Sequence, residues 1–152
     1  MFTLIRPVSG ILLALLATHA ASVYWSMLRP DHPSGGFALW MGVIGLVIGW
    51  GFLGSRVGRQ LWLSVFVAAQ AVVLVALTAA AMFGVREVFI LGYQRRYREP
   101  MEAVNGFFDL AQGWLWLTLE RDFLILLGLG SLAVGLLAHL AHRLLERRRM
   151  AR

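Results

Sequence analysis

The sequence predicts an all-α membrane protein: a four-transmembrane-helix bundle with one amphipathic surface helix between the third and fourth spans. Four long apolar stretches lie at about residues 8–28, 36–54, 61–85 and 123–142, and none contains Lys, Arg, Asp or Glu. About 20 helical residues cross a hydrocarbon core of roughly 30 Å. Because lipid offers no hydrogen-bond partners, each stretch must pair its own backbone groups as a helix.

The composition indicates that lipid is the main solvent of this chain. Hydrophobic residues make up 59% of the sequence and charged residues 14%, against about 25% charged residues in a soluble domain. Four spans leave little chain for anything else, so we expect residues 1–152 to form a single membrane domain. The first span is expected to be a retained helix rather than a cleaved signal peptide, because its apolar run continues to Leu28.

Cysteine is absent, which excludes disulfides, thiolate metal sites and thiol redox chemistry within the chain. All 14 basic residues are arginine, and they cluster at the ends of the apolar stretches. Membrane topology and lipid headgroups explain basic residues at such positions better than nucleic acid does. We therefore expect the lipid bilayer, and not nucleic acid, as a partner.

The distribution of arginine also predicts the orientation. Four spans place both termini on one side, which then holds eight of the 14 arginines in short segments close to span ends. The other six share the opposite side with seven of the eight carboxylates. By the positive-inside rule, we expect a multi-pass membrane protein with both termini in the cytoplasm.

The long connection between the third and fourth spans predicts a further helix at about residues 100–118, after a third helix that continues to Gly92. Pro100 suits the first helical position, and Glu102 the positive end of the helix dipole. An apolar stripe recurs at helical spacing: Met101, Val104, Phe108, Ala111 and Leu115, flanked by Phe107, Leu110 and Trp114. The opposite side is polar: Glu102, Asn105, Asp109 and Gln112. This pattern favours an amphipathic helix along the membrane surface that caps the bundle.

Small residues mark two helices for close packing. The second span carries Gly42, Gly45 and Gly49, and the fourth span carries Gly128, Ser131 and Gly135. Small residues at this spacing let helix backbones approach closely in lipid. We expect both sets to pack within this chain; the alternative is contact with another membrane protein or a second copy.

Few polar side chains lie inside the spans, and none predicts chemistry. His19 and Gln70 are expected to be neutral and hydrogen-bonded to a neighbouring helix, although an intramembrane polar group can also mark a functional site. His139 lies too far from the depth of His19 for the two to bind one haem, and only Glu146 is available to join His139 and His142 at a metal. With no nucleophile-and-base pair and no phosphate loop, the sequence predicts no catalytic, cofactor or metal site and a non-enzymatic protein.

Two stretches are more specific than the composition. One runs Gly49-Trp50-Gly51-Phe52-Leu53-Gly54-Ser55-Arg56-Val57-Gly58-Arg59, and the other Arg96-Tyr97-Arg98-Glu99-Pro100-Met101-Glu102-Ala103. Together they resemble the TrgA family of tellurium resistance membrane proteins of alphaproteobacteria, small four-span proteins, over about residues 36–120. The residues that carry the resemblance are Trp50, Arg56, Arg59, Arg96, Tyr97, Pro100 and Glu102. The chain departs from the family pattern at Arg98-Glu99, at Gln60, and at His139 and His142.

The resemblance implies a role in survival on tellurite but supplies no obvious chemistry. A direct role would be transport, or capture of an oxyanion by Arg95, Arg96 and Arg98; an indirect role would assist another membrane complex. For these arginines we favour local pairing with Glu99 or Glu102 and contact with headgroups. Two alternatives remain: an accessory or structural subunit of a larger respiratory or photosynthetic complex, and, more weakly, a small transporter or channel.

Overall fold

The computed structural model describes residues 5–31, 35–58, 60–93 and 100–150, and the described chain is almost entirely helical. Helix α1 is Ile5–Leu28. Helix α2 begins as Gly35–Ile48, continues through a π-helical turn at Gly49–Leu53 and ends with an α-helical turn at Gly54–Arg56. The remaining helices are α3 (Leu61–Tyr93), α4 (Pro100–Thr118) and α5 (Arg121–Met150).

Four of these helices are long and apolar enough to cross a membrane, which confirms the predicted all-α bundle of four spans; the position of α4 along the membrane surface stays a prediction. The spanning segments have 24, 21, 33 and 26 residues in chain order. Each extends past its predicted bounds because helical geometry continues into the flanking polar residues. Helix α3 is the longest, at about 50 Å, and ends at Tyr93, one residue beyond the predicted Gly92.

The four spanning helices form a ring in the order α1, α2, α3, α5. Helix α1 packs against α2 and α5, and α3 packs against α2 and α5. Helix α4 packs on the C-terminal part of α3, at the end of the bundle where α1 ends and α5 begins. We call this the α4 end, and the opposite end, where α1 begins and α5 finishes, the terminal end.

The bundle is filled with small residues and covered with large apolar ones. The fully buried positions include Ala68, Ala71 and Ala138, whereas Leu39, Trp62 and Phe89 are among the most exposed residues. A soluble protein shows the reverse, because water drives its large apolar side chains inward. Small residues inside and large apolar residues outside are typical of helices that pack by close backbone approach in lipid.

The π-helical turn keeps the glycines of α2 aligned toward α1. A π turn holds one residue more than an α turn, so the residue in phase with Gly49 becomes Gly54. The Gly54 N–H donates to the Gly49 carbonyl, and a Cβ added at Gly54 would lie 2.8 Å from the Arg6 Cα. Without the extra residue, Leu53 would occupy this position and separate the two helices.

Helix α4 begins at Pro100, as predicted, and its predicted apolar stripe contacts the bundle only in part: Ala111 and Leu115 are half-buried, and Leu115 lines the cavity described below. Phe107, Leu110 and Trp114 are half-buried toward the bundle, whereas Met101 and Phe108 are 65% and 63% exposed. The predicted polar side of α4 is exposed as well: Glu102, Asn105, Asp109 and Gln112. The apolar surface is therefore wider than one stripe, with one flank against protein and the other exposed.

Candidate functional site

A cavity of about 540 Å³, partly open to the surface, lies at the α4 end of the bundle. All five helices contribute to its walls. Along α1 the lining runs from Leu13 to Arg29, which is about 24 Å of helical rise. The lining therefore extends over more than four turns of α1 and the residue that follows it.

Two matching segments on opposite helices create the space. Ala17, Ala20, Ala21 and Tyr24 on α1 have the same spacing as Ala76, Ala79, Ala80 and Phe83 on α3, and all eight residues line the cavity. In each segment three alanines leave room between the helices, and an aromatic side chain follows one turn nearer the α4 end. The alanines therefore form the walls, and the aromatic residues narrow the cavity where it approaches the surface.

An aromatic collar surrounds this narrower part. The Tyr24 ring lies 5.6 Å from the Phe123 ring and 6.3 Å from the Phe37 ring, and Phe37 lies 4.9 Å from Phe83. Such centroid distances are typical of favourable aromatic pairs. The collar joins α1, α2, α3 and α5, so it fixes the width of the cavity.

Helix α4 closes one side of the cavity through two contacts. The Tyr24 hydroxyl donates to the Trp114 carbonyl at 3.2 Å. At Gly84 of α3, an added Cβ would lie 2.7 Å from the Phe107 ring, so glycine is needed for α4 to approach this closely. Leu110, Trp114 and Thr118 then contribute to the lining from α4.

Charged side chains line the cavity only at its α4 end among the described residues. They are Arg29, Arg86 and Glu87. The Arg29 guanidinium lies 5.7 Å from the centre of the Trp25 ring, and an Arg86 nitrogen lies 4.0 Å from a Glu87 carboxylate oxygen. This ion pair is exposed and contributes little to stability, so the Arg86 guanidinium remains available to a second anion.

The arrangement suits a molecule with an apolar body and one anionic group. The walls offer apolar contact along residues 13–28 of α1 and 72–83 of α3, and two guanidinium groups and one carboxylate, a net positive charge, lie at the α4 end. Pockets of about 300–1,000 Å³ with apolar walls and a few polar groups at one end are typical ligand sites. The ionisable side chains among the lining residues are Tyr24, Arg29, Arg86 and Glu87.

The glycines predicted to pack closely lie mainly at helix contacts. Added Cβ atoms at Gly45 and Gly49 would lie within 3.0 Å of α1 backbone atoms, and one at Gly42 would lie 2.5 Å from the Thr18 hydroxyl. Gly135 packs against α3 in the same way, because a Cβ added there would lie 2.7 Å from the Val65 Cα.

Ser131 and Gly128, the other two small residues predicted to pack on α5, have different surroundings. Ser131 is buried and donates to the Gly128 carbonyl at 2.8 Å. Gly128 itself faces open space, with no atom within 4 Å of an added Cβ. Gly128 was predicted to pack within this chain, and it does not. The close approach of α5 to α1 is made instead at Gly130, where an added Cβ would overlap the Leu16 side chain.

The family-like residues are described only in part. Trp50 lies in the π-helical turn, and the Arg56 guanidinium packs 4.1 Å from the centre of the Phe52 ring. Pro100 and Glu102 lie in the first turn of α4. The other family-like residues and the two further loop arginines lie outside the described residues: Arg59, Arg95, Arg96, Tyr97 and Arg98.

The intramembrane polar residues do not lie as predicted. His19 and Gln70 are both exposed, and neither side chain makes a hydrogen bond with the described part of the chain. His139 is 3% exposed, and its Nδ1 is buried without a hydrogen-bond partner. His142 Nδ1 lies 3.8 Å from a Glu146 oxygen. Within residues 5–31, 35–58, 60–93 and 100–150, no group of three metal-ligating side chains occurs.

Sequence reasoning missed the cavity, although a signal was present. The repeated spacing of three alanines followed by an aromatic residue, in Ala17–Tyr24 and Ala76–Phe83, marks two helix faces that leave matching space. Neither segment contains a polar or charged lining residue that would have drawn attention to it, apart from the Tyr24 hydroxyl.

Comparison with known proteins found no matching family model, no matching curated protein and no matching solved structure. The resemblance to the tellurium resistance family therefore depends on the two sequence stretches alone.

Proposed function

We propose that the chain is a non-enzymatic inner-membrane protein of the tellurium resistance type that binds an anionic, single-chain amphiphile at the α4 end of its bundle. The observation that carries this proposal is the apolar cavity with Arg29 and Arg86 at its charged end. A lining that extends about 24 Å along α1 suits one extended hydrocarbon chain better than a compact ring system. The same anionic amphiphile chemistry is shared by free fatty acids and single-chain phospholipids.

The proposed membrane position of α4 explains why its apolar surface is divided. Phe107 and Trp114 pack on the bundle, Met101 and Phe108 would contact lipid, and the polar side would contact water. A helix at the membrane–water interface has all three surroundings. In this position α4 covers the cavity at the depth where headgroups lie, so an amphiphile could enter beside it from the bilayer.

Fluorescence quenching tests the binding site, because Trp25 and Trp114 line the cavity. A brominated long-chain fatty acid added to the detergent-purified protein should quench tryptophan fluorescence saturably. Ala80→Phe fills the cavity and should remove the saturable component, whereas Ala81→Phe, one residue further on an exposed position, should retain it. Equal saturable quenching in both variants would sink the assignment of the site.

Survival on tellurite tests the cellular role separately. Removal of the protein should lower tolerance, and Ala80→Phe should fail to restore it at normal membrane abundance, whereas Ala81→Phe should restore it. If Ala80→Phe loses the amphiphile yet restores full tolerance, the binding site stands and its link to tellurite falls. We expect tolerance to stay intact when Arg95, Arg96 and Arg98 are together replaced by Gln. That result would exclude capture of the tellurite oxyanion by these arginines.

A further inference from the structure

The outward face of α3 carries a regular seam of exposed residues with one polar member. Successive positions along this face are separated by three and four residues in alternation: Leu63, Phe66, Gln70, Val73 and Leu77. The four apolar members are between 46% and 57% exposed, and Gln70 is exposed as well. We call these five residues the α3 seam. Alternating spacings of three and four define the heptad pattern of paired helices.

Gln70 lies deep in the predicted span, where lipid offers no hydrogen-bond partner, and its amide has none among the described residues. It lies nine residues into α3, about 14 Å along the helix, which is close to the middle of a hydrocarbon core of roughly 30 Å. Its side chain makes no hydrogen bond with the described part of the chain. An amide left unpaired in hydrocarbon is unfavourable, because lipid offers it neither a donor nor an acceptor.

The chemistry of the seam identifies a second copy of this chain as its occupant. An amide carries both a donor and an acceptor, so two Gln70 side chains can satisfy each other across a two-fold axis. All copies insert with the same orientation, which makes the two α3 helices parallel and brings each seam residue opposite its own equivalent. A single polar residue at one position of a heptad seam fixes the register of such a pair.

We propose that the protein self-associates through the α3 seam, with the Gln70 amides hydrogen-bonded to each other near the membrane midplane. None of the seam residues lines the cavity. Self-association through this face therefore leaves the amphiphile site open, and the two proposals stand or fall independently.

Disulfide cross-linking provides the test, because the natural chain has no cysteine. Val73→Cys, on the seam, should give a covalent dimer when the full-length protein is oxidised in phospholipid vesicles, since a disulfide requires Cα atoms within about 7 Å. Leu39→Cys, 71% exposed on α2, is the matched control and should stay monomeric. Adding Gln70→Leu to Val73→Cys should weaken dimerisation by about 3- to 30-fold, and Gln70→Asn should weaken it less.

Each outcome decides the proposal. A covalent dimer at Val73→Cys that is absent at Leu39→Cys and is reduced by Gln70→Leu supports it. Equal cross-linking at both positions, monomers at every protein-to-lipid ratio, or cross-linking of Val73→Cys to a different protein in native membranes would overturn it. If Gln70→Leu lowers membrane abundance, the comparison of Val73→Cys with Leu39→Cys still decides, because both variants retain the native amide.

Discussion

Single residues at the contact between α1 and α2 decide how closely these helices approach. At Gly49 an added Cβ would lie 2.7 Å from the Ser9 carbonyl oxygen and 2.8 Å from the Gly10 Cα. Both are backbone atoms, so they cannot rotate away as a side chain can. The fully buried Ser9 hydroxyl lies 2.9 Å from two acceptors, the Arg6 carbonyl of its own helix and the Gly49 carbonyl of α2, which share its one proton. The bond to Gly49 is possible only at such a short helix separation.

Gly49→Ala should therefore destabilise the protein by about 1–3 kcal/mol, the usual effect of forcing an extra methyl group into a packed contact. Gly51→Ala is the matched control, because it lies in the same π-helical turn but has no atom within 4 Å of an added Cβ. Denaturant unfolding of the two purified variants in the same detergent measures the difference. Equal stability of both variants would mean that α1 and α2 do not approach this closely.

Buried hydroxyl groups supply directional contacts within this otherwise apolar interface. Ser9→Ala removes the bond to the Gly49 carbonyl and should reduce the free energy of unfolding by about 1 kcal/mol. Ser55→Ala serves as its control, because the Ser55 hydroxyl is exposed and bonds only within its own helix. A stability loss for Ser9→Ala no larger than that for Ser55→Ala would contradict an interhelical role of this bond.

At the scale of helices, the docking of α4 can be tested with two adjacent phenylalanines. Phe107 packs against Gly84 of α3, whereas Phe108 is 63% exposed. Phe107→Ala should reduce stability by about 2 kcal/mol, below the roughly 3–5 kcal/mol of a fully buried phenylalanine. Phe108→Ala should change stability little. Thermal unfolding in detergent gives both values, and a larger loss at Phe108 would reverse the assigned orientation of α4.

The sequence predicts helices well but their rotation poorly, and lipid is the reason. Long uncharged stretches can only be helical in a bilayer, so the spans follow from composition. In water the apolar face of a helix marks the core, but here both faces are apolar, and the pattern does not say which one points inward. Gln70 was accordingly predicted to contact a neighbouring helix, although it points outward, and the predicted stripe of α4 contains Met101 and Phe108, which are exposed.

The features that sequence reasoning missed depend on contacts between distant segments. Gly49 was recognised as a packing residue, but the π-helical turn that aligns Gly54 with it depends on the approach of α1. The cavity likewise requires that the alanines of Ala17–Tyr24 and Ala76–Phe83 lie opposite each other. Neither relation is local: the repeated alanine spacing marks two helix faces, but only the fold shows that these faces lie opposite each other.

At the scale of the whole molecule, the distribution of arginine predicts that both termini lie in the cytoplasm. A reporter that is active only in the periplasm should be silent when fused after Arg152 and active when inserted near Gln94, with equal expression of both fusions as the control. The reverse pattern would invert the orientation and place the α4 end, with its cavity, on the cytoplasmic side. The four spans would remain.

The central claim is that the cavity holds an anionic single-chain amphiphile, and native mass spectrometry of the full-length protein released from detergent measures this most directly. A long-chain fatty acid and a lysophospholipid with a phosphate group should each bind at one per chain and outcompete a neutral monoacylglycerol of equal chain length; their relative affinity identifies the preferred headgroup. Replacing Arg29 and Arg86 together by Gln should abolish this preference for anions, whereas Arg121→Gln, exposed at the same end of the bundle but outside the cavity lining, should leave it unchanged. Equal binding of the neutral and anionic amphiphiles to the natural chain, or no binding of either, would contradict the account.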